Sequence, residues 1–546
     1  MKSREIIAIV LSSVISLSSC SKQDKQEMKT ENLRTIKIDQ LRDKIAGGWA
    51  GKMIGVAYGA PTEFRAQGKL YEEEIKWEPS FVRNSLRQDD IYVQLSFMMT
   101  MDKHGIDAPA EKFAESFATA GYRLWHANVQ ARKNFFDGIM PPASGSPEYN
   151  LHADDIDFQI ESDYIGFMCP GLPQTAIKIA DKVGHVMNYG DGVYGGMFVA
   201  ALYTEAFFET DIHRIIDRAL LSIPAESDYA KCIKDVIALY GHYPADWRAA
   251  WQELERKWGD VDICGALQPF NIDAKLNGAY IVMGLLYGEG DFEKTMEIST
   301  RCGQDSDCNP SNAAAVIGVI KGYSGIPEKW KSGIEPVADS LFIFTNYTFN
   351  SAVENTVKYA RQLVLENGGI IEGNIVKIKI QEPVAPPLEV SFPDVVPDYK
   401  VSVFEGKSWN WKGNWKVLTR KSRESGREIP QARYSDESGA EMIFTFEGTG
   451  VVIRGGLRKD GGKADVYVDG KLHRTFDTYF WWANQEKSDA FLWHILNREP
   501  GKHTVRLVVK GEKRTESEGA RICITGATVF KTGLKKNETV KLSFER

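Results

Sequence analysis

From about Ile36 to Leu365, apolar residues recur every three or four positions, the period of an amphipathic helix. The pattern predicts helices over Asp39–Tyr58, Ile91–Lys103, Pro109–Leu124, Val193–Glu209, Asp211–Ile223, Tyr229–Tyr243, Trp247–Trp258 and Ala352–Leu365. Few strand-like runs interrupt them, so this part reads as an all-α domain with functional loops between helices. The pattern changes after Glu366-Asn367-Gly368-Gly369, whose glycines suit a helix C-cap. Pro383, Pro386, Pro387, Pro393 and Pro397 then mark a linker. Beyond it, Glu441–Phe446, Gly450–Arg454, Ala464–Val468, Thr504–Val509 and Arg521–Phe530 alternate in character and are separated by turns such as Asp469-Gly470. These predict an antiparallel β-sandwich. The expected organisation is a helical domain over 36–370, a linker with short strands over 371–401 and the sandwich over 402–546.

The first residues change the picture by suggesting a compartment. Lys2 and Arg4 precede an apolar run, Ile6 to Leu17, that is too short to span a bilayer. It ends in Leu17-Ser18-Ser19-Cys20, which resembles a bacterial lipobox, where the signal is cut before a cysteine that is then lipidated. The alternative is an ordinary signal peptide with a chance cysteine. The expectation is a signal over 1–19, a polar tether over 20–35 and a lipid anchor on Cys20, giving a lipoprotein of the bacterial cell envelope. The anchor would then be its membrane contact. Composition is that of a globular protein, 43% hydrophobic and 26% charged, and the net charge of −7 argues against a nucleic-acid partner. The chain has seven cysteines and no C-x-x-C pair, so a zinc site gains no support from spacing. Single cysteines in apolar surroundings read as buried thiols, although an exported chain can also form disulfides.

The chemistry concentrates in short polar stretches. Gly47, Gly51, Gly55 and Gly59 lie along one face of the first helix. Each costs about 1 kcal/mol relative to alanine in a helix interior, which points either to close helix packing or to approach of the helix end to a ligand, with Glu63 just beyond. Gln88-Asp89-Asp90 runs directly into an apolar helix; one aspartate there is a routine N-cap, but two in a row are not. Asp305-Ser306-Asp307-Cys308-Asn309 imitates the start of a calcium loop, yet Pro310 and Val316 stand where an EF-hand needs Gly and Glu. Its ligand shell must be completed from elsewhere, and Asp89 and Asp90 are the natural donors. Four carboxylates brought together repel, and a divalent cation is the usual countercharge. A third stretch carries Asp154, Asp155, Asp157, Glu161 and Asp163, then the glycine-dense Asn188–Gly196. Its Asp163, Asp191 and Tyr194 are candidates for substrate binding. A solvated acidic loop accounts equally well for its first part.

The ordered set Gly55-x-Ala57-x-Gly59-x-Pro61-x-Glu63, Gln88-Asp89-Asp90-Ile91 and Gly303-x-Asp305-x-Asp307-Cys308-Asn309 resembles the ADP-ribosylglycohydrolase family. The resemblance implies an all-α fold whose two-magnesium centre hydrolyses a glycosidic bond to ribose. Carried over, Gln88, Asp89, Asp90, Asp305 and Asp307 would be metal ligands, and Glu63 would face the substrate's sugar. Glu63, Asp90 and Asp305 are then the catalytic candidates. A bound cation lowers the pKa of water and makes it a nucleophile, a carboxylate takes its proton, and Glu63 or an acid of the third stretch serves as general acid or hydroxyl clamp. The chain departs from the family pattern at Gln88 and Cys308, where the family has threonine, and at Val56, where it has aspartate. One magnesium ion or two is therefore left open, as is ADP-ribose itself.

The C-terminal stretches Phe446-Glu447-Gly448-Thr449-Gly450-Val451-x-Ile453-x-Gly455 and Val466-Tyr467-Val468-Asp469-Gly470 resemble galactose-binding-like jelly-roll modules. Trp409, Trp411, Trp481, Trp482 and Trp493 would either pack its core or stack on sugars. The resulting expectation is an exported, metal-dependent glycosidic-bond hydrolase acting on a carbohydrate or ADP-ribosyl substrate. The rival is a non-catalytic glycan-binding lipoprotein with a decayed centre.

Overall fold

The computed structural model describes residues 33–259, 262–422 and 426–533. Cys20 and the expected signal lie outside the described residues. The helices form close to where the apolar period places them: Ile38–Gly59, Asp89–His104, Ala110–Thr119, Asp191–Ala206, Ile212–Leu220, Asp228–His242, Trp247–Trp258 and Phe349–Glu366. They enclose one large apolar core that includes Trp49, Phe97, Tyr203, Tyr280 and Val316. No helix among the described residues is long and apolar enough to cross a membrane.

The first helix and the helix Cys308–Lys321 form the central pair of the domain. The glycine stripe is what lets them approach. A Cβ at Gly47 would lie 2.1 Å from the Gly318 carbonyl oxygen, one at Gly51 2.4 Å from that of Ala314, and one at Gly55 2.4 Å from that of Pro310. At Gly59 it would lie 2.1 Å from the Ser306 oxygen. The close-packing reading therefore holds. The pair is as tight at the end where Glu63 leaves the first helix and Asp305–Asp307 enter the second as it is at Gly47.

Leu33–Lys37, Ile375–Lys379 and Ile370–Glu372 form a small antiparallel sheet on the helical domain. A strand thus begins inside the segment read as a tether, and the first strands of the linker belong with the helices. The remaining linker is a strap over the helical domain. Glu389 reaches His185 (3.1 Å) and accepts from the Gly190 amide (3.2 Å), and Val384 donates to Gln174.

The C-terminal domain is a sandwich of two antiparallel sheets. One orders Lys471–Asp477, Lys463–Val468, Gly501–Val509, Glu441–Gly448 and Trp409–Lys412. The other orders Lys487–Ile495, Gly450–Leu457, Ile522–Thr532, Glu428–Ser435 and Lys416–Lys421, and Val395–Ser402 also pairs with Ile522–Thr532. Alternate residues such as Met442, Phe444 and Phe446 fill the space between the sheets. The two domains touch directly. Trp482 stacks on Phe136 with centroids 4.2 Å apart, and the Gln485 side chain exchanges hydrogen bonds with the Leu124 backbone (3.3 and 2.9 Å).

Candidate active site

Glu63 follows a single 3-10 turn, Ala60–Thr62, at the end of the first helix. The Thr62 hydroxyl bonds that of Ser306 (2.7 Å), and the Phe64 amide donates to the Gln304 carbonyl (3.1 Å), fastening this turn to the Asp305 loop. Gly303 has φ +85°, and a Cβ there would meet the Ala66 oxygen at 2.3 Å, so glycine is required for the crossing. Asp307 occupies the N-cap of its helix without using its side chain to cap. Asp89 and Asp90 form the first turn of theirs, and Gln88 caps it through its backbone carbonyl alone, accepting from Ile91 and Tyr92 (both 3.1 Å). The capping explanation of these acids therefore fails. Their carboxylates are free for something else.

These carboxylates converge. Oxygen atoms of Glu63, Asp305 and Asp307 lie within 4.8 Å of one another, as do those of Asp90 and Asp307 with Cys308 Sγ. Asp89 shares their field: burial, then Asp90, Asp305 and Glu63, push its carboxyl up to about 8. Burial first, then Asp305 and Asp90, push Glu63 up to about 7, and burial foremost pushes Asp305 up to about 6. Asp307 and Asp90 are also raised, chiefly by burial. Asp305 Oδ1 and Asp307 Oδ1 are buried without a hydrogen-bond partner, whereas Asp90 Oδ1 has the Lys52 ammonium 3.3 Å away. Unpartnered buried carboxylate oxygens are costly, and a set of them at one point is the donor chemistry a hard divalent cation takes.

Lys52 is the residue that sequence reasoning missed. Fully buried on the first helix, it lies 3.3 Å from Asp90 Oδ1 and 3.0 Å from Asp163 Oδ2, and donates to the Ile160 carbonyl (2.8 Å). Burial works against its charge, but Asp163 and then Asp90 outweigh this and raise its pKa. Asp157 and Glu161 stand behind the same centre. Asp157 accepts from the Ala127 and Asn128 amides (3.2 and 3.1 Å) and is pushed up to about 7, mainly by burial. Glu161 accepts from Asn128 (2.6 Å) through one oxygen, and its other oxygen has no hydrogen-bond partner.

The three substrate-binding candidates stand elsewhere. Asp163 is fully buried, and its oxygens are taken by Lys52, Gln94 (3.1 Å), Tyr203 (2.5 Å) and Asn312 (3.0 Å). It holds the lysine rather than a ligand. Tyr194 donates to the Pro387 carbonyl (3.1 Å) and accepts from the Glu389 amide (2.6 Å), and Asp191 accepts from the Tyr229 amide (3.2 Å). The glycine-dense stretch therefore anchors the strap and a neighbouring helix. All six described cysteines are free thiols, and Cys308 donates to Asp90 Oδ2 (3.4 Å).

A model of the ADP-ribosylglycohydrolase family matches residues 37–360, the helical domain with every residue of this centre. The chain belongs to the ADP-ribosylglycohydrolase family. That membership makes the helical domain a glycosyl-hydrolase-type unit of a generally metal-dependent family. Among curated proteins, a "A type blood alpha-D-galactosamine galactosaminidase" of Flavonifractor plautii is 33% identical over 96 residues, 18% of this chain. The chain spans only 8% of the length of that relative. Among solved structures, an "ADP-ribosylglycohydrolase-related protein complex" covers 59% of this chain and 99% of its own at 15% identity, with a TM-score of 0.41. The CBM36-1 domain of a multidomain xylanase from the hindgut metagenome of Trinervitermes trinervoides covers 25% of this chain and 98% of its own (15% identity, TM-score 0.17). These structural likenesses are too distant to bear on function.

Proposed function

We propose that this member of the ADP-ribosylglycohydrolase family is an exported, divalent-metal-dependent hydrolase that cleaves a glycosidic bond in a carbohydrate, anchored to the bacterial cell envelope through Cys20. The observation that carries the reading is the meeting of Glu63, Asp305 and Asp307, and of Asp90 with Asp307, where buried oxygens of Asp305 and Asp307 have no hydrogen-bond partner. Asp89, Asp90, Asp305 and Asp307 are the residues that would hold the cation, with Gln88 beside them. When bound, Mg²⁺ supplies a Lewis acid that lowers the pKa of water and orients vicinal sugar hydroxyls.

The chain's own residues do the rest. Lys52 neutralises the inner side of Asp90 and fixes it against the helix pair. Asp305 accepts the proton of the attacking water, while Asp90 is held in place by Lys52. Glu63 stands at the exposed rim, where it serves as general acid to the leaving oxygen or as a clamp on a sugar hydroxyl. The expected envelope location, the sandwich domain and the galactosaminidase named above support a carbohydrate over an ADP-ribosyl conjugate.

The test is hydrolysis of a glycan panel and of ADP-ribosyl substrates with Mg²⁺, Mn²⁺, Ca²⁺ or EDTA. Cleavage that EDTA abolishes and that Asp305→Ala lacks is expected. A second reading, a glycan-binding protein with a decayed centre, draws on Cys308, whose sulfur sits against Asp90 where the family has a threonine. Binding of a glycan with no turnover under any of these metals would favour it.

A further inference from the structure

A second constellation of ligating side chains lies outside the carboxylate centre. His126 opens the helix His126–Phe136, His152 and Asp155 lie in the turns before Asp157–Ile160, and Cys264 comes from the loop before the helix Ala274–Gly288. His152 Nδ1 is 2.6 Å from Asp155 Oδ2 and 3.0 Å from Cys264 Sγ. His126 Nδ1 is 3.5 Å from the same Asp155 oxygen. Donor atoms of His126, His152 and Asp155 lie within 4.8 Å of one another, and so do those of Asp155, Asp262 and Cys264.

The way these atoms converge separates two readings. A nucleophilic Cys–His–Asp relay uses both ring nitrogens, one facing the sulfur and the other the carboxylate. Here sulfur and carboxylate both face Nδ1 of His152, a nitrogen that carries at most one proton. The sulfur also lies within 4.8 Å of an Asp155 oxygen, so the three donors are mutual neighbours. We propose that His152, Asp155, Cys264 and His126 form a second metal site, a four-ligand structural site for a borderline divalent cation of the zinc type.

The donor set fits that cation. Two imidazoles, one thiolate and one carboxylate make a nitrogen–sulfur–oxygen shell that zinc takes tetrahedrally, with bonds of about 2.0–2.3 Å. Magnesium, which wants oxygen, would not compete well. Tetrahedral bonds of that length put neighbouring ligand atoms about 3.3–3.8 Å apart, so the observed contacts need to open by only a few tenths of an ångström to nearly one. Thiolate and carboxylate together balance the two positive charges; burial foremost pushes both the Cys264 thiol and the Asp155 carboxyl well up, so the protons of both are released to solvent on binding. Burial, and then Lys487, push His126 down to about 4, and burial foremost holds His152 low as well. Both rings are therefore neutral, with lone pairs available.

The surroundings hold the ligands in place. Asp262 accepts from the Cys264 amide (2.6 Å) and the Ile272 amide (2.8 Å), fixing the loop that presents the sulfur. Phe270 stacks on His126 (centroids 5.9 Å), and Phe491 of the sandwich stacks on His152 (5.0 Å). His126 itself has φ +43°, a conformation a non-glycine residue adopts at a cost. The same Phe270 touches Phe64, the neighbour of Glu63 (5.3 Å). A metal here would pin the 262–272 loop beside Phe64, next to the carboxylate centre, and join it to the sandwich through Phe491.

The experiment uses the full chain, purified without chelator and titrated with Zn²⁺ alone and with Co²⁺ alone. One zinc per chain should survive gel filtration, and Co²⁺ should give a thiolate charge-transfer band in the near ultraviolet with intense tetrahedral bands in the visible. Cys264→Ser should abolish the charge-transfer band and weaken zinc binding at least tenfold, and His152→Ala should weaken it similarly. Asp305→Asn, which disables the carboxylate centre, should leave both signals in place, so failure of the two sites is distinguishable. Circular dichroism of Cys264→Ser, the conservative variant, checks that the fold is kept. The absence of a thiolate band in the native chain, or zinc affinity unchanged in Cys264→Ser, would overturn the proposal.

Discussion

Lys52 carries a full charge into a site where water does not reach, between Asp90 and Asp163. Lys52→Met would keep the volume and remove the charge, leaving two buried carboxylates facing each other. Breaking a buried pair in this way costs about 3–5 kcal/mol. The urea midpoint in EDTA should fall by a matching amount, and a loss below about 1 kcal/mol would mean that the pair is not charged in the native state. Cys308 poses the opposite question. Its sulfur touches Asp90 in the corner where the family pattern has threonine. If that corner faces the cation, Cys308→Thr should tighten Mg²⁺ binding, since a hydroxyl is the harder ligand. Asp305→Ala should weaken it whatever Cys308 does. Calorimetric titration of the two variants reads both, and unchanged affinity in Asp305→Ala would refute the metal site.

At the scale of elements, the glycine stripe sets the distance between the two central helices, and that distance sets the site. Gly55→Ala would drive a methyl group to 2.4 Å from the Pro310 carbonyl oxygen, against backbone that has nowhere to turn. The helices must part, so Mg²⁺ affinity should drop along with a melting temperature lowered by several degrees. Gly241, whose surroundings are open, is the control: Gly241→Ala should leave both nearly unchanged. The stripe was legible because glycine is costly in a helix and four at one spacing need a cause. The paired aspartates were legible because like charges placed just before apolar helices need a cause too. Lys52 was not, since a lysine among Gly and Ala looks like a surface charge until its partners are known, and Asp163 comes from far along the chain. The contacts of Asp191 and Tyr194 were not legible for a related reason. Their glycine-rich turn serves Pro387 and Glu389, nearly two hundred residues later, and no local period encodes that contact. The strand Leu33–Lys37 likewise has meaning only through its partner Ile375–Lys379.

For the whole molecule, the strand pairing places the start of the sandwich at Val395, because Val395–Ser402 lies along Ile522–Thr532. A fragment over 395–533 should unfold cooperatively on heating, while one starting at residue 403 should melt lower, having lost that strand; equal melting temperatures would mean that the strand adds nothing. The acid centre makes a larger statement about the molecule through its protons. Asp305, Glu63 and Asp89 have carboxyls raised to about 6, 7 and 8, whereas unfolded carboxylates titrate near 4. The native chain therefore holds more protons than the unfolded one between about pH 4 and 8. Their stabilising effect is complete below that window and is lost as pH rises through it. A cation reverses the sign at this site, because it binds the ionised carboxylates and replaces the lost protons. Without metal, the melting temperature should fall from pH 5.5 to pH 8. The increment given by excess Mg²⁺ over EDTA should be larger at pH 8 than at pH 5.5. Taking that increment cancels titrations elsewhere in the chain, and Mg²⁺ has little affinity for the His–Cys constellation, so the difference reports on the carboxylates alone. An increment that does not change with pH would show that these carboxyls are not what the cation displaces protons from.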